Sequence, residues 1–266
     1  MLSVRSILAT AMDIEALLLP VACLSCEAPG HGGTGAPVLC DQCRLRLRPI
    51  APPRCARCGQ TRDSWEAGGQ GAARREASGE SGRQESVCGF CRLWPESLAR
   101  AASAVWYEDG PAKRLVQALK YGGWRVAAGP MAEVMLRELG ATLRAAELLV
   151  PVPLGPQRAR ERGHNQAEVL ARAIAERSGL TVVADALVRT RETRTQTALD
   201  PRARSANVAG AFQGSGVGSQ VSGKRVILID DVLTTGATLG AAAAALHAAG
   251  AAEVGAVTFA RAPKPE

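Results

Sequence analysis

Arg225-Val226-Ile227-Leu228-Ile229-Asp230-Asp231-Val232-Leu233-Thr234-Thr235-Gly236-Ala237-Thr238 joins an unbroken apolar run to two acids and a Thr/Gly turn. The run is largely β-branched, the pattern of a strand buried on both faces of a parallel sheet. Beyond the turn, residues 239–249 are dominated by alanine and predict a helix. Strand, polar loop and helix start together form an anion-binding arrangement. The first N–H groups of a helix lack internal partners, and the helix dipole adds positive charge there. Gly236 permits close backbone approach, and Thr234, Thr235 and Thr238 add hydroxyl donors.

Asp230 and Asp231 repel a phosphate, so they call for a polyol or a cation nearby. A ribose 5-phosphate meets both demands, with its hydroxyls on the acids and its phosphate in the turn. The bland alternative is an acidic turn before a helix capped by Thr. Capping needs one such side chain, not two acids, three threonines and a glycine. From Val226 to Thr238 the stretch resembles the thirteen-residue phosphoribosyl pyrophosphate (PRPP) signature of type I phosphoribosyltransferases.

The chain has 266 residues, enough for one large domain or two ordinary ones. Its net charge is +7, carried by 28 Arg and only four Lys. Arg suits phosphate recognition, but basicity alone permits polyanion binding without establishing it. Aromatics make up 3%, which argues against a stacking platform spread across the fold. Residues 1–19 place apolar side chains at helical spacing and predict an N-terminal helix. Arg5, Asp13 and Glu15 interrupt that segment, so it suits neither a membrane span nor a signal peptide. Val21-Ala22-Cys23 faintly suggests a lipoprotein cleavage site, against which Pro20 and the preceding acids speak. A cytoplasmic location is expected.

The eight cysteines fall in four Cys-x-x-Cys knuckles, Cys23/Cys26, Cys40/Cys43, Cys55/Cys58 and Cys88/Cys91. Two thiolates on one knuckle reach a single zinc at about 2.3 Å each, and a second knuckle completes the tetrahedron. Two structural zinc sites are expected within a double ribbon over residues 20–95. Chain order favours the first two knuckles on one ion and the last two on the other, although an interleaved pairing meets the same spacing. A disulfide framework needs an oxidising compartment, and a redox dithiol would use one pair. Residues 62–87 are rich in Gly, Ser and charge and predict a disordered loop.

Residues 98–266 read as an α/β domain. Strands are expected at residues 104–107, 147–153, 181–183 and 253–260, and helices at 110–121, 126–139 and 167–177. Lys120 precedes a helix-stopping Gly pair, which fits either a C-terminal cap or a substrate contact. Residues 154–166 read as a basic loop at a strand's carboxyl end, a place where open α/β sheets bind anions. His164 fits a loop donor better than a base or ligand. Residues 187–212 are polar and Arg/Thr-rich, and suit a lid that shields a reactive centre from water.

Lys120-Tyr121-Gly122, Val150-Pro151-Val152-Pro153, Arg160-x-Arg162-Gly163-x-Asn165-Gln166, Gln196, and Asn207-Val208 with Phe212 lie between the knuckles and the signature, in that order. The chain thereby resembles the ComF family of competence-associated proteins over almost its whole length. The loop between Cys58 and Cys88 is longer than that pattern, and His164 stands where an aromatic is commoner. The resemblance implies an open parallel sheet of the type I phosphoribosyltransferase kind, with helices on both faces, preceded by a small double zinc ribbon. It implies that Asp230 and Asp231 take the ribose hydroxyls, directly or around Mg²⁺, and act in catalysis together with Arg162. Leu233, Thr234, Thr235, Gly236, Ala237 and Thr238 would hold the 5-phosphate. Gly155, Arg158, Arg162, Gly163 and Asn165 would hold pyrophosphate, and Arg191, Arg194, Gln196, Arg204 and Asn207 would belong to a closing loop. It also brings in single-stranded DNA and a DNA-uptake helicase or recombination mediator as partners. Three functions stay open on these grounds: a transferase with an unnamed acceptor, a PRPP sensor, and a factor handling single-stranded DNA through its ribbons.

Overall fold

The computed structural model describes residues 22–28, 38–61, 88–191, 210–216 and 220–263. The expected N-terminal helix, the 62–87 loop and most of the expected lid lie outside them. Five strands form one parallel sheet: β1 (Arg100–Trp106), β2 (Leu148–Pro151), β3 (Thr181–Val182), β6 (Arg225–Leu233) and β7 (Glu253–Arg261). Their order is β1-β7-β6-β2-β3. The signature strand β6 is central and pairs in parallel with both β7 and β2. A separate antiparallel pair joins β4 (Leu187–Arg189) to β5 (Phe212–Gly214).

Side-chain alternation along β6 and β7 divides the core in two. Ile227, Ile229, Val257 and Phe259 join a cluster with α2 (Pro111–Tyr121), α3 (Ala128–Arg144) and α5 (Gln166–Ser178). Val226, Leu228, Val254 and Ala256 face α6 (Ala237–Ala248) on the other side. The unbroken apolar run of β6 is thus explained by helices on both faces of the sheet.

The two ribbons divide the same way. Cys23, Leu39, Cys43 and Leu47, around the short helix α1 (Asp41–Leu45), pack into the first core. Cys55, Cys58, Cys88, Cys91 and Trp94 pack into the second. The chain between them runs along the free edge of β1. Ile50 N–H donates to Ala104 O at 3.2 Å, Trp106 N–H to Arg48 O at 2.9 Å and Ala101 N–H to Arg57 O at 2.7 Å. An edge that would otherwise invite pairing with another chain is covered.

Three expectations change. Residues 154–166 are not simply a loop: α4 (Pro156–Arg162) forms within them. Pro156 at its start sets a helical φ, Gly163 closes it in the left-handed region at φ +67°, and Gln157 Nε2 donates to Glu161 Oε1 at 2.8 Å. No residue of α4 is buried, so its sequence carries no apolar period to signal a helix. The strand β4, at the start of the segment expected to form a lid, is held by three pairs with β5. The second helix of the domain runs on to Arg144, with Leu143 buried at its end.

Candidate functional site

The cysteine sulfurs gather into two tetrads, Cys23, Cys26, Cys40, Cys43 and Cys55, Cys58, Cys88, Cys91, each with all Sγ atoms within 4.8 Å of one another. Sequential pairing is the one adopted. None of the cysteines is in a disulfide. Tetrad edges measure 3.7 Å for Cys26–Cys40 and 3.8 Å for Cys55–Cys91, with 3.4 Å for Cys58–Cys88 and 3.7 Å for Cys88–Cys91. A tetrahedron with Zn–S bonds of about 2.3 Å has edges of about 3.8 Å. The donor set therefore fits zinc, and four thiolates leave no coordination position open for catalysis. Ser25 and Cys40 N–H groups each reach Cys23 Sγ at 3.4 Å. Burial raises that thiol, but backbone donors at Cys40, Cys26 and Ser25 outweigh it and bring it down to about 6, toward the thiolate a metal takes.

Asp230 and Asp231 lie inside β6, with Asp230 opposite Thr258 of β7. Asp231 is 3% exposed. Lys120, in the last turn of α2, places Nζ 2.5 Å from Asp231 Oδ2. Burial works against the Lys120 charge, and the Asp231 carboxylate outweighs it, so the ammonium is held above its usual range. Of the two readings of Lys120, the structure adds a third: it is the counter-ion of a buried acid. Asp230 is half-buried, and its Oδ1 accepts the Asp231 N–H at 2.8 Å. Burial first, and the Asp231 carboxylate next, push the Asp230 carboxyl well above the usual range. Lys120 contacts Asp231, and Asp230 is the more open of the two acids.

The turn that follows has Leu233 buried, Thr234 exposed, and Thr235, Ala237 and Thr238 half-buried. Gly236 is the N-cap of α6 at φ +83° and has no side chain to offer as a cap. Ala237 N–H donates to Thr235 Oγ1 at 3.4 Å. Thr thus serves the helix start from the residue before the N-cap, not from the N-cap itself. Trp94, just past the last cysteine, donates from Nε1 to Thr235 O at 2.8 Å. The sequence offered no signal for that contact beyond a Trp-Pro step after the fourth knuckle.

The basic segment meets the acids through α2. Arg162 Nη1 donates to Gln166 Oε1 at 2.9 Å, and its guanidinium lies 5.0 Å from the Tyr121 ring centroid, one residue past Lys120. His164 sets Nδ1 2.9 Å from Arg162 O and Nε2 2.7 Å from Leu119 O, joining the segment to α2 as a loop donor would. Asn165 is the N-cap of α5: Oδ1 accepts Ala167 N–H at 3.1 Å, and Nδ2 donates to Val152 O at 3.1 Å. Gly155 is the buried N-cap of α4, and Arg158 is half-buried on it. Arg191 is exposed just past β4. Arg194, Gln196, Arg204 and Asn207 lie outside the described residues.

Among the described residues, no helix is long and apolar enough to cross a membrane. Residues 127–266 match the phosphoribosyl transferase domain family, and residues 14–92 match the double zinc ribbon domain family. The DNA utilization protein YhgH of Salmonella typhi is 32% identical over 179 residues, covering 65% of this chain and 77% of that protein. Competence protein F of Haemophilus influenzae is 25% identical over 237 residues, covering 87% and 93%. A solved glutamine PRPP amidotransferase from B. subtilis, complexed with ADP and GMP, gives a TM-score of 0.35 at 23% identity, over 50% of this chain and 26% of that one. With both ribbons in place and a transferase-type domain across more than half its length, the chain belongs to the ComF/YhgH family of competence and DNA-utilization proteins.

Proposed function

We propose that this protein binds Mg-PRPP and transfers its phosphoribosyl group to an acceptor. The observation that carries the reading is the continuity of β6 into α6. Two adjacent acids on a buried strand lead, within five residues, to a helix start whose N-cap is a glycine. Asp230 faces the ribose hydroxyls, and the turn from Leu233 to Thr238 takes the 5-phosphate. Carboxylate oxygens suit Mg²⁺, and Asp230 is the more open of the two acids. The bound ion adds positive charge where pyrophosphate develops negative charge. Arg158 and Arg162, with the α4 segment from Gly155 to Asn165, offer donors for the departing pyrophosphate. Breaking the sugar C1–O bond toward an oxocarbenium-like state needs no nucleophilic side chain. Arg191, with Arg194, Gln196, Arg204 and Asn207, would close over the sugar.

One observation favours a second reading, PRPP sensing without turnover. Lys120 already neutralises Asp231, so ligand must compete with an ion pair before both acids are available. The family's names add DNA handling, for which Tyr121 and Trp124 supply exposed rings at 74% and 51%. Arg162 beside Tyr121 supplies charge. The two main readings part on one assay: pyrophosphate release from Mg-PRPP across a panel of nucleobase, amine and oligonucleotide acceptors. Acceptor-dependent release establishes the transferase, and stoichiometric binding without release across the panel establishes the sensor.

A further inference from the structure

The second ribbon grips the helix that follows the acids. Trp94 and Pro95 lie across the start of α6, where Gly236 and Gly240 stand one turn apart. A Cβ on Gly236 would meet the Trp94 ring at 2.5 Å, and one on Gly240 would meet Pro95 Cδ at 2.9 Å. The two glycines form a notch that the Trp-Pro step fills. Trp94 is 7% exposed, and its ring meets Phe90 edge-on at 5.8 Å between centroids. Its backbone is tied to the metal tetrad, since Trp94 N–H donates to Cys91 O at 3.1 Å. Arg57, between Cys55 and Cys58, donates to Cys91 O, Trp94 O and Pro95 O at 3.0, 3.2 and 2.9 Å. On the sheet side, Arg261 pairs with Leu233 across β7 and β6 and donates to Cys58 O at 2.6 Å.

The hydrogen bond from Trp94 Nε1 to Thr235 O has a directional consequence. In a planar trans peptide the carbonyl and the next N–H point opposite ways. Holding Thr235 O toward the indole therefore turns the Gly236 N–H away from it. We propose that Trp94 is a positioning residue for the anion turn. The metal-bound ribbon holds the indole, the indole fixes the Thr235–Gly236 peptide plane, and that plane aims the Gly236 amide at the 5-phosphate of a ribose phosphate. The ligand rests on the PRPP reading; the coupling of ribbon to turn does not.

The test uses the full chain loaded with zinc, beside Trp94→Ala and Trp94→Phe, with zinc counted per chain. Amide exchange of residues 233–240 comes first because it needs no ligand. It should quicken about fivefold in Trp94→Ala, the scale of one lost hydrogen bond, while β7 and α3 keep wild-type exchange. Trp94→Phe keeps a ring against Gly236 without the donor, so its exchange should fall between the two. The Kd for Mg-PRPP should rise by a similar factor in Trp94→Ala. Wild-type exchange in a Trp94→Ala chain that retains its zinc overturns the proposal, whatever PRPP does. If the alanine variant loses zinc or fails to fold, the phenylalanine variant decides: faster turn exchange supports the proposal and wild-type exchange overturns it. A wild-type chain that binds no Mg-PRPP, yet whose turn responds to Trp94→Ala, keeps this proposal and removes the phosphoribosyl reading.

Discussion

Replacing Lys120 with Met should destabilise the protein through Asp231. Met keeps the length of the side chain and removes the charge, leaving a carboxylate at 3% exposure without its ammonium partner. Breaking a fully buried pair costs about 3–5 kcal/mol. Lys120 retains 22% side-chain exposure, so water screens part of the interaction, and about 2–3 kcal/mol is the expected cost. With a urea slope of about 3 kcal/mol per molar, the unfolding midpoint should drop by roughly 0.7–1 M. Lys120 has a folded-state pKa raised above its unfolded value. Its contribution is thus complete at neutral pH and fades only as pH rises beyond about 10.4. The assay is urea unfolding at pH 7 with saturating zinc, for Lys120→Met, Asp231→Asn and the double variant. The double variant should recover much of the loss, because neither charge is then left alone. A Lys120→Met change within about 0.5 kcal/mol, the range of ordinary surface substitutions, would refute the buried pair.

Asp230→Asn should stabilise the protein in magnesium-free buffer at pH 7. Its folded carboxyl is pushed up, so the folded state holds the proton more tightly, and stability falls as pH rises through that range. The gain over wild type should shrink as pH drops toward about 3.9, and it is read as a difference in Tm across pH. His164→Phe keeps the ring and loses the ring nitrogens facing Arg162 O and Leu119 O, so urea unfolding should report a loss of about 1 kcal/mol. Thiol titration with a zinc indicator should release two zincs per chain in two phases. The faster comes from the tetrad with exposed Cys26, the slower from the tetrad with four buried cysteines, and Cys26→Ala should remove the fast phase.

The parts of this fold legible in the sequence are those whose physics is local. Residues 226–238 carry strand, acids and turn in one continuous pattern, and the helix of α6 follows from its alanines. The knuckles are local as well, yet their partners are not: the first and second pairs share a tetrad only because the fold brings them together. What escaped lies between distant residues or in segments without an apolar period. Lys120 and Asp231 meet across 111 positions, and a lysine before two glycines is an ordinary helix end on its own. Trp94 and Thr235 meet across 141. The helix α4 escaped because its arginines bury nothing, and Pro156 and Gly163 define it only when taken together.

The account turns on whether a sugar phosphate sits between the acids and the turn. Isothermal titration of the zinc-loaded chain with Mg-PRPP tests that directly, beside a variant carrying Asp230→Asn and Asp231→Asn. The account predicts one site per chain in the wild type and no measurable binding in the variant at unchanged zinc content. A wild-type chain that gives no heat, or a variant that binds as tightly as wild type, would contradict it.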